Sequence, residues 1–245
     1  MTHRPELARS FGSAVDDYVR GRPGWPEEAI AAPGIPRDAL VVDLAAGTGK
    51  LTEQLERRFD RVIAIEPDPV MRAANGGADV RAGSAEAIPL EAASVDAVFV
   101  AEAFHWFCDP PALRELERVL RPGGTLVVLW NRPRRKGQLP RGVDAVMQRL
   151  REQSGLDAKT HRFYSGTWRD VFPGSRFGPI EEAMFEHEHV LSADELVSYL
   201  MSQSAAASRP ADERAAIRAE LTALIPPGRH VRPLRAETYW TTLQP

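Results

Sequence analysis

Two acidic residues stand at the ends of short apolar runs, where a carboxylate could contact a ligand. Asp43 follows Val41 and Val42, and Glu66 ends the run at residues 62–66 (VIAIE). Between them, residues 45–49 (AAGTG) form a loop of small residues whose backbone can approach a ligand closely. In open α/β sheets, ligands bind at the carboxyl ends of the strands, and an acid there commonly holds a ribose diol. The pattern therefore predicts a ribose-containing ligand beside Glu66.

The elements that must position these residues form an α/β pattern. The two apolar runs predict parallel strands joined by a helix that begins near the small-residue loop. Asp109, with Pro110 at the next position, indicates the start of a later helix. Helical character also extends over residues 138–156 and 192–224. The remaining strands are predicted, in chain order, at residues 79–83, 94–101, 125–130, 185–191 and 239–243.

Further motifs follow the small-residue loop and the acidic strand end in a fixed order. They are residues 84–90 (SAEAIPL), residues 101–106 (AEAFHW) and residues 120–124 (LRPGG). Together the five motifs resemble the class I S-adenosylmethionine-dependent methyltransferases, and within them the methyltransferase type 11 group. The resemblance implies a Rossmann-like sheet of seven strands, mostly parallel with an antiparallel last strand. It also implies helices on both faces, C-terminal helical insertions, and S-adenosylmethionine as the cofactor.

The same resemblance implies a set of cofactor-binding residues. Asp43 would hold the methionyl end, Glu66 the ribose, and Ser84 the adenine amino group, with the next backbone N–H on a ring nitrogen. Ser84 stands where the family usually has Asp, and Ala45 where it more often has Gly, so both contacts depart from the family pattern. The full set from the core motifs is Asp43, Ala45, Gly47, Gly49, Glu66, Pro67, Met71, Ser84, Ala85, Glu86, Ala101 and Phe104.

An N-terminal motif resembles the trans-aconitate methyltransferase-like subgroup. It covers residues 18–26 (YVRGRPGWP). In relatives this segment folds over the cofactor, so Tyr18 and Arg22 are expected to bind the methionyl carboxylate. The alternative is a Pro/Gly turn with Trp25 packed on the sheet.

Several residues could carry the chemistry of the acceptor side. His105 and Trp106 are predicted to bind substrate, with His105 either a general base or, as we favour, part of the pocket wall. His187 and His189 share one strand face, but two ligands without a third are typical of a structural pair, and no metal is expected. Residues 132–137 (RPRRKG) form a basic run near the substrate region, compatible with a negatively charged substrate or with a solvated loop.

Composition limits the classes of partner. The net charge of −3 and pI near 6.1 favour neither nucleic acid nor an anionic membrane as partner. The single Cys108 and the lack of an apolar run of membrane-spanning length are typical of a cytoplasmic protein. We expect one domain over 1–245: a cofactor-covering segment at 1–37, a cofactor-binding core at 38–131, and a substrate-side lid with the last strands at 132–245. The oligomeric state is left open.

The predicted function is in-line methyl transfer to a small molecule. A sulfonium is already a strong methyl donor, so the protein mainly has to align the acceptor, and no catalytic residue is assigned. The acceptor is left open among a carboxylate, a hydroxyl, an amine and an activated carbon, with a small carboxylate suggested by the subgroup. One alternative is an NAD(P)-dependent oxidoreductase, although the third glycine of the dinucleotide fingerprint is missing. The other is a module that binds the cofactor without turnover.

Overall fold

A seven-stranded sheet organises the protein. The structure is a computed structural model that describes residues 15–134, 139–154 and 162–245. The strand order is β3-β2-β1-β4-β5-β7-β6; β1 to β5 pair in parallel, and β7 runs antiparallel to both of its neighbours. The predicted Rossmann-like sheet is therefore confirmed. The strands are β1 Leu40–Leu44, β2 Arg61–Ile65, β3 Val80–Arg81, β4 Val95–Ala101, β5 Leu120–Pro133, β6 Glu181–Ser192 and β7 Arg229–Thr242.

Helices cover both faces of the sheet. The predicted N-cap of one of them is confirmed, since the Asp109 side chain accepts a hydrogen bond from the Ala112 N–H and Pro110 occupies the first turn. The helices are α1 Val15–Gly21, α2 Glu27–Ala31, α3 Lys50–Arg58, α4 Pro69–Ala74, α5 Phe104–Phe107, α6 Pro110–Val119, α7 Val143–Gln153, α8 Arg162–Ser165, α9 Ala193–Met201, α10 Ser204–Ala207 and α11 Ala211–Leu224. A 3₁₀ helix spans Thr167–Val171. None of the helices in the described ranges is long and apolar enough to cross a bilayer.

The hydrophobic core of the sheet consists of two clusters, one on each face. Alternate residues of the central strands point to opposite sides, as in any pleated sheet. On one side Val128 and Trp130 join an aromatic-rich cluster; on the other, Val127 and Leu129 pack with α3 and Trp25. A third cluster lies among α7, α9 and α11, the helical insertions that were expected to form a lid.

The last two strands are longer than their apolar content predicts. β7 begins at Arg229, ten positions before the predicted start, and β6 begins at Glu181. Charged residues interrupt the added stretches, which weakens the apolar signal, but these stretches still pair across the hairpin, as Arg235 of β7 does with Glu186 of β6. β3 is shorter than predicted, and the helical region at 192–224 is divided into three helices. Parts of three predicted features lie outside the described residues: the N-terminal segment at 1–14, the basic run at 135–137, and the helical region at 138, 155 and 156.

Candidate active site

The loop between β1 and α3 has an unusual backbone. Ala45, Gly47 and Gly49 all have positive φ, at +60°, +57° and +85°. Glycine adopts this left-handed conformation freely, whereas for alanine it costs about 1–2 kcal/mol of conformational free energy. Ala45 therefore places strain at the position where the family more often has Gly. Such strain commonly lies at ligand sites.

Glu66 lies directly beside this loop. Since β1 and β2 are parallel and Leu44 is registered with Ile65, the residues that follow them meet at one edge. Glu66 Oε2 accepts the Gly47 N–H at 2.8 Å, and Oε1 accepts the Asp68 N–H at 2.9 Å. Burial raises the pKa of the Glu66 carboxyl, against the effect of these two N–H donors. The predicted juxtaposition of loop and acid is thus present.

Asp43 lies beneath the loop. Its side chain is buried, and its Oδ2 accepts the Thr52 hydroxyl at 2.6 Å. Asn75 Nδ2 donates to Thr52 Oγ1 at 3.3 Å and to the Gly47 carbonyl at 3.4 Å. Asp43 thereby supports the loop through a buried hydrogen-bond network, and its contact with a methionyl group stays a prediction. Asn75 belongs to no recognised motif, which is why the sequence did not indicate it.

Stability should depend on pH through Asp43. Burial raises the pKa of this carboxyl to about 7 from its ordinary value of 3.8. The folded state then holds the proton more tightly than the unfolded state, so the stability from this group is complete below about pH 4 and is lost as the pH rises to about 7. We expect the free energy of unfolding of the ligand-free protein to fall across this range, by at most about 1.4 kcal/mol per pH unit for this group.

Urea unfolding at pH 5, 6, 7 and 8 measures this slope. Asp43→Asn should flatten it, because an amide does not titrate. Glu102→Gln and the double variant provide the comparison, since burial also raises the pKa of Glu102 to about 7. A slope unaltered by Asp43→Asn would mean that Asp43 does not titrate in this range.

The predicted adenine and ribose contacts lie along the next loops. Ser84 and Ala87 exchange backbone hydrogen bonds, which hold a tight turn in which Ala85 is buried and Glu86 exposed. On the other loop, the Pro67 carbonyl accepts a hydrogen bond from Arg72 at 3.2 Å. The contacts of these residues with the cofactor remain predictions.

The N-terminal segment packs on the sheet through Trp25 and against α9 through Arg22, and its contact with the methionyl carboxylate stays a prediction. Arg22 Nη2 donates to the Tyr18 hydroxyl at 3.2 Å, and Arg22 also donates to Ser202 Oγ at 2.9 Å and to the Ser202 carbonyl at 2.8 Å. Trp25 is buried on the sheet, and its backbone N–H donates to Gln54 Oε1. Met71 forms a small buried cluster with Ala207, against which Tyr18 and Trp106 pack. The structure thus brings Tyr18, Met71 and Trp106 together.

Glu102 is a site residue that the sequence interpretation missed. It follows β4, whose last residue is the half-buried Ala101, and it has a φ of +55°, strained for any residue but glycine. Its Oε1 accepts the Asn131 N–H at 2.6 Å, while Oε2 accepts no hydrogen bond from the described residues. Burial raises its pKa to about 7, with the Arg22 charge acting in the opposite direction. Glu102 can therefore receive a proton near neutral pH. Its position as a third acid at a strand end was the available signal.

Phe104 and Phe107 of α5 pack against other aromatic side chains of the core. Phe104 is enclosed by the rings of Phe107, Trp168 and Phe172, at centroid distances of 5.7, 6.0 and 5.8 Å. This enclosure favours a packing role over a cofactor contact.

His105 is also buried. Its Nδ1 accepts the Trp130 indole N–H at 3.4 Å, and its ring lies 4.9 Å from Trp106. Since Nδ1 is engaged, the arrangement favours the pocket-wall interpretation over a general base acting through that nitrogen.

The remaining candidates are paired with protein groups. His187 Nε2 lies 2.6 Å from Asn131 Oδ1, and no group of three or more metal-ligating side chains occurs within the ranges the structure describes. Arg132 lies 3.5 Å from Glu237, and Arg134 lies 2.7 Å from Glu186. Each arginine in the described part of the basic run therefore has a carboxylate partner, and Arg132 shares Glu237 with Arg235.

A cavity of about 970 Å³ lies at the opposite edge of the sheet, where β1 and β2 begin at Leu40 and Arg61. Its lining includes none of the predicted site residues. Ligands of open α/β sheets bind at the carboxyl edge. We therefore assign the active site to the edge that carries Asp43, Glu66 and Glu102.

Comparisons with known proteins agree with this geometry. The sequence profile of a methyltransferase domain, type 11, matches residues 42–128. An uncharacterized methyltransferase-like protein of Schizosaccharomyces pombe is 34% identical over 228 residues, covering 87% of this chain and 84% of the relative. An uncharacterized methyltransferase of Mycobacterium tuberculosis is 49% identical over 134 residues, 52% of this chain; the match spans about half of that relative, 54% of its length.

A solved structure is similar over nearly the whole chain. It is that of a proposed type II methyltransferase from Anaeromyxobacter dehalogenans, with a TM-score of 0.57, 27% identity, and coverage of 91% of this chain and 99% of that one. The nicotinamide alternative has no support in these matches. The chain belongs to the S-adenosylmethionine-dependent methyltransferases and carries the type 11 methyltransferase domain.

Proposed function

We propose that the protein transfers a methyl group from S-adenosylmethionine to a small-molecule acceptor. The observation that carries the proposal is the buried carboxylate of Glu66 hydrogen-bonded to the strained loop at the carboxyl edge of β1 and β2. A bound cofactor would supply an electrophilic methyl group on a sulfonium. The protein would supply position and orientation, which can lower a barrier by about 7–11 kcal/mol.

The residues of this edge fit the cofactor part by part. Glu66 would exchange its Gly47 N–H bond for ribose hydroxyls. Tyr18 and Arg22 would hold the methionyl carboxylate, since Tyr18 packs against the buried cluster of Met71 and Arg22 is hydrogen-bonded to Tyr18. The turn at Ser84 and Ala85 would contact the adenine. Asp43 acts as a positioning residue for the loop through Thr52.

For the acceptor, we propose a small molecule with a carboxylate, as in the trans-aconitate methyltransferase-like subgroup. An ionised carboxylate needs no base to attack a methyl group. Glu102 favours a second class of reacting group, a hydroxyl or amine, because its free oxygen could take the proton that such a group loses. Both classes are compatible with an acidic molecule held by an arginine.

Calorimetric titration with S-adenosylmethionine, S-adenosylhomocysteine and NADH tests the cofactor. We expect micromolar binding of the two sulfur compounds and none of NADH. Release of S-adenosylhomocysteine with a panel of small acids then tests turnover. Binding of NADH alone would restore the oxidoreductase alternative, whereas cofactor binding with no turnover on any acceptor class would favour the binding module.

Arg22→Ala should weaken binding of S-adenosylmethionine by about tenfold or more, since a charge-assisted hydrogen bond contributes about 1.5–3 kcal/mol. The melting temperature should fall as well, because Arg22 also binds Ser202. Calorimetry and thermal unfolding of the same samples measure both effects.

Ser202→Ala is the matched control. It removes the hydroxyl that accepts Arg22 Nε but leaves the guanidinium in place, so cofactor affinity should change less than about twofold. Equal loss of affinity in both variants would show that Arg22 acts by holding α1 against α9, not by contacting the cofactor.

A further inference from the structure

Arg232 is a buried cation that has no counter-ion among the residues the structure describes. Its side chain is only 5% exposed, and its Nε and Nη1 are buried without a hydrogen-bond partner. No ion pair joins it to any carboxylate in the described part of the chain. Arginine does not deprotonate in proteins, and a buried charge left unpaired is strongly unfavourable. Such a group therefore indicates a binding site for an anion, whose negative charge would compensate that of the guanidinium.

Among the described residues, the groups that contact Arg232 directly are an imidazole and an aromatic ring, and the carboxylate of Glu195 acts on the imidazole without pairing with Arg232. His189 is its register partner across the β6–β7 pair, and the Tyr199 ring lies 4.0 Å from the guanidinium carbon. His189 Nδ1 is also buried without a partner. We call Arg232, His189 and Tyr199 the Arg232 cluster. The cation–π contact between Arg232 and the Tyr199 ring is favourable, but it does not provide acceptors for the N–H groups of the guanidinium.

The cluster is electrostatically positive. The pKa of His189 is lowered to about 4 by burial and then by the charges of Arg232, His187 and Lys50, with only Glu195 acting in the opposite direction. The imidazole is therefore neutral at pH 7, with its Nδ1 still unpaired. A bound anion would both pair the guanidinium and raise the pKa of His189.

The Arg232 cluster adjoins the candidate active site. His189 lies on the same face of β6 as His187, which contacts Asn131, and the Asn131 N–H binds Glu102. Tyr199 on α9 lies between two guanidinium groups, since its ring is also 5.9 Å from that of Arg22. In contrast, Arg132 and Arg134 of the basic run already have carboxylate partners. The unpaired positive charge is thus beside the lid helix α9, not in the basic run.

We propose that Arg232, assisted by His189, binds a carboxylate of the methyl acceptor and thereby selects acidic substrates. The proposal rests on the proposed function, because it names the substrate class of that site. A carboxylate suits a guanidinium because its two oxygens accept adjacent N–H groups side by side. Tyr199 would shift from its stacked position as the acceptor enters. A buried water could also satisfy these nitrogens, and the experiment separates the two cases.

Malonate is the probe, and malonamide is its neutral isostere. Each is titrated calorimetrically into the full-length protein, with and without S-adenosylhomocysteine, while NMR follows the His189 ring. We expect malonate to bind and to raise the pKa of His189, and malonamide to do neither. Inorganic phosphate in a third arm distinguishes a carboxylate site from a general anion site; binding of phosphate as tight as that of malonate would overturn the carboxylate assignment.

Arg232→Met provides the decisive variant. It should lower malonate affinity at least tenfold, leave S-adenosylhomocysteine affinity within twofold, and keep or raise the melting temperature, because an unpaired buried charge is removed. Arg232→Lys, which keeps the charge without the planar fork, should retain part of the affinity and serves if the Met variant does not fold. Arg149→Met is the charge-matched control, since Arg149 is an exposed residue paired with Glu220.

Two further results would contradict the proposal. If Arg232→Met lowers the melting temperature and leaves malonate binding intact, Arg232 is a structural partner of Tyr199. If the wild-type protein binds S-adenosylhomocysteine but not malonate, the cluster holds water only. Failure of S-adenosylhomocysteine to bind would contradict the proposed function separately, and the malonate titration of the cofactor-free protein would still test the anion site.

Discussion

Glu66→Ala should weaken binding of S-adenosylmethionine by about 1–3 kcal/mol, or roughly 5- to 150-fold in the dissociation constant. The variant loses the predicted ribose hydrogen bonds. It also loses the two acceptors that hold the Gly47 and Asp68 N–H groups, so the loop should become less ordered. Because burial raises the pKa of the Glu66 carboxyl, removing it also removes a desolvated group, and stability of the ligand-free protein should fall less than affinity does.

Calorimetry of the wild-type protein, Glu66→Ala and Glu66→Gln measures this effect. The Gln side chain has the same length and can still accept one backbone N–H, so its affinity should be intermediate. Glu28→Ala removes an exposed acid from α2 and controls for net charge. Unchanged affinity in Glu66→Ala would overturn the placement of the ribose at the end of β2.

Gly21→Ala should have a large effect on the packing of α1 against α9. A Cβ at this position would lie 2.2 Å from the Tyr199 nitrogen and 2.4 Å from its Cα, which are backbone atoms that cannot rotate away. The two helices α1 and α9 would have to separate, and overpacking of this kind typically destabilises by about 1–3 kcal/mol. Arg22, the next residue, would be displaced from Ser202, so we expect cofactor affinity to fall in parallel.

Urea unfolding and cofactor titration of Gly21→Ala test this expectation. Gly76→Ala is the matched control, because a Cβ there meets nothing within 4 Å and its φ is not in the left-handed region. Its free energy of unfolding should stay within about 0.5 kcal/mol of the wild type. If Gly21→Ala behaves like Gly76→Ala in both measurements, the close contact between α1 and α9 contributes neither to stability nor to cofactor affinity.

Local patterns in the sequence were sufficient to predict the parallel strands, a helix start and the cofactor of this protein. The apolar runs before Asp43 and Glu66 predicted parallel strands, and neighbouring parallel strands end at the same edge of a sheet, so the two acids were expected at one edge. The cap at Asp109 depends on neighbours three positions away, and the sequence shows it directly. Family motifs of this kind identify the cofactor because they describe short, contiguous segments.

Contacts between distant segments were decided by the tertiary structure alone. Whether Arg132 is free or paired depends on Glu237, which lies across the β5–β7 pair, and the pairing of Arg22 with Ser202 joins residues 180 positions apart. The strained backbone of Glu102, and the lack of a counter-ion for Arg232 among the described residues, likewise depend on surroundings built from several elements. The charge of a side chain follows from the residue type, whereas its burial and its partners depend on strand register and helix packing. For that reason the sequence could indicate where the cofactor binds, while the proposed anchor for the acceptor emerged only from the fold.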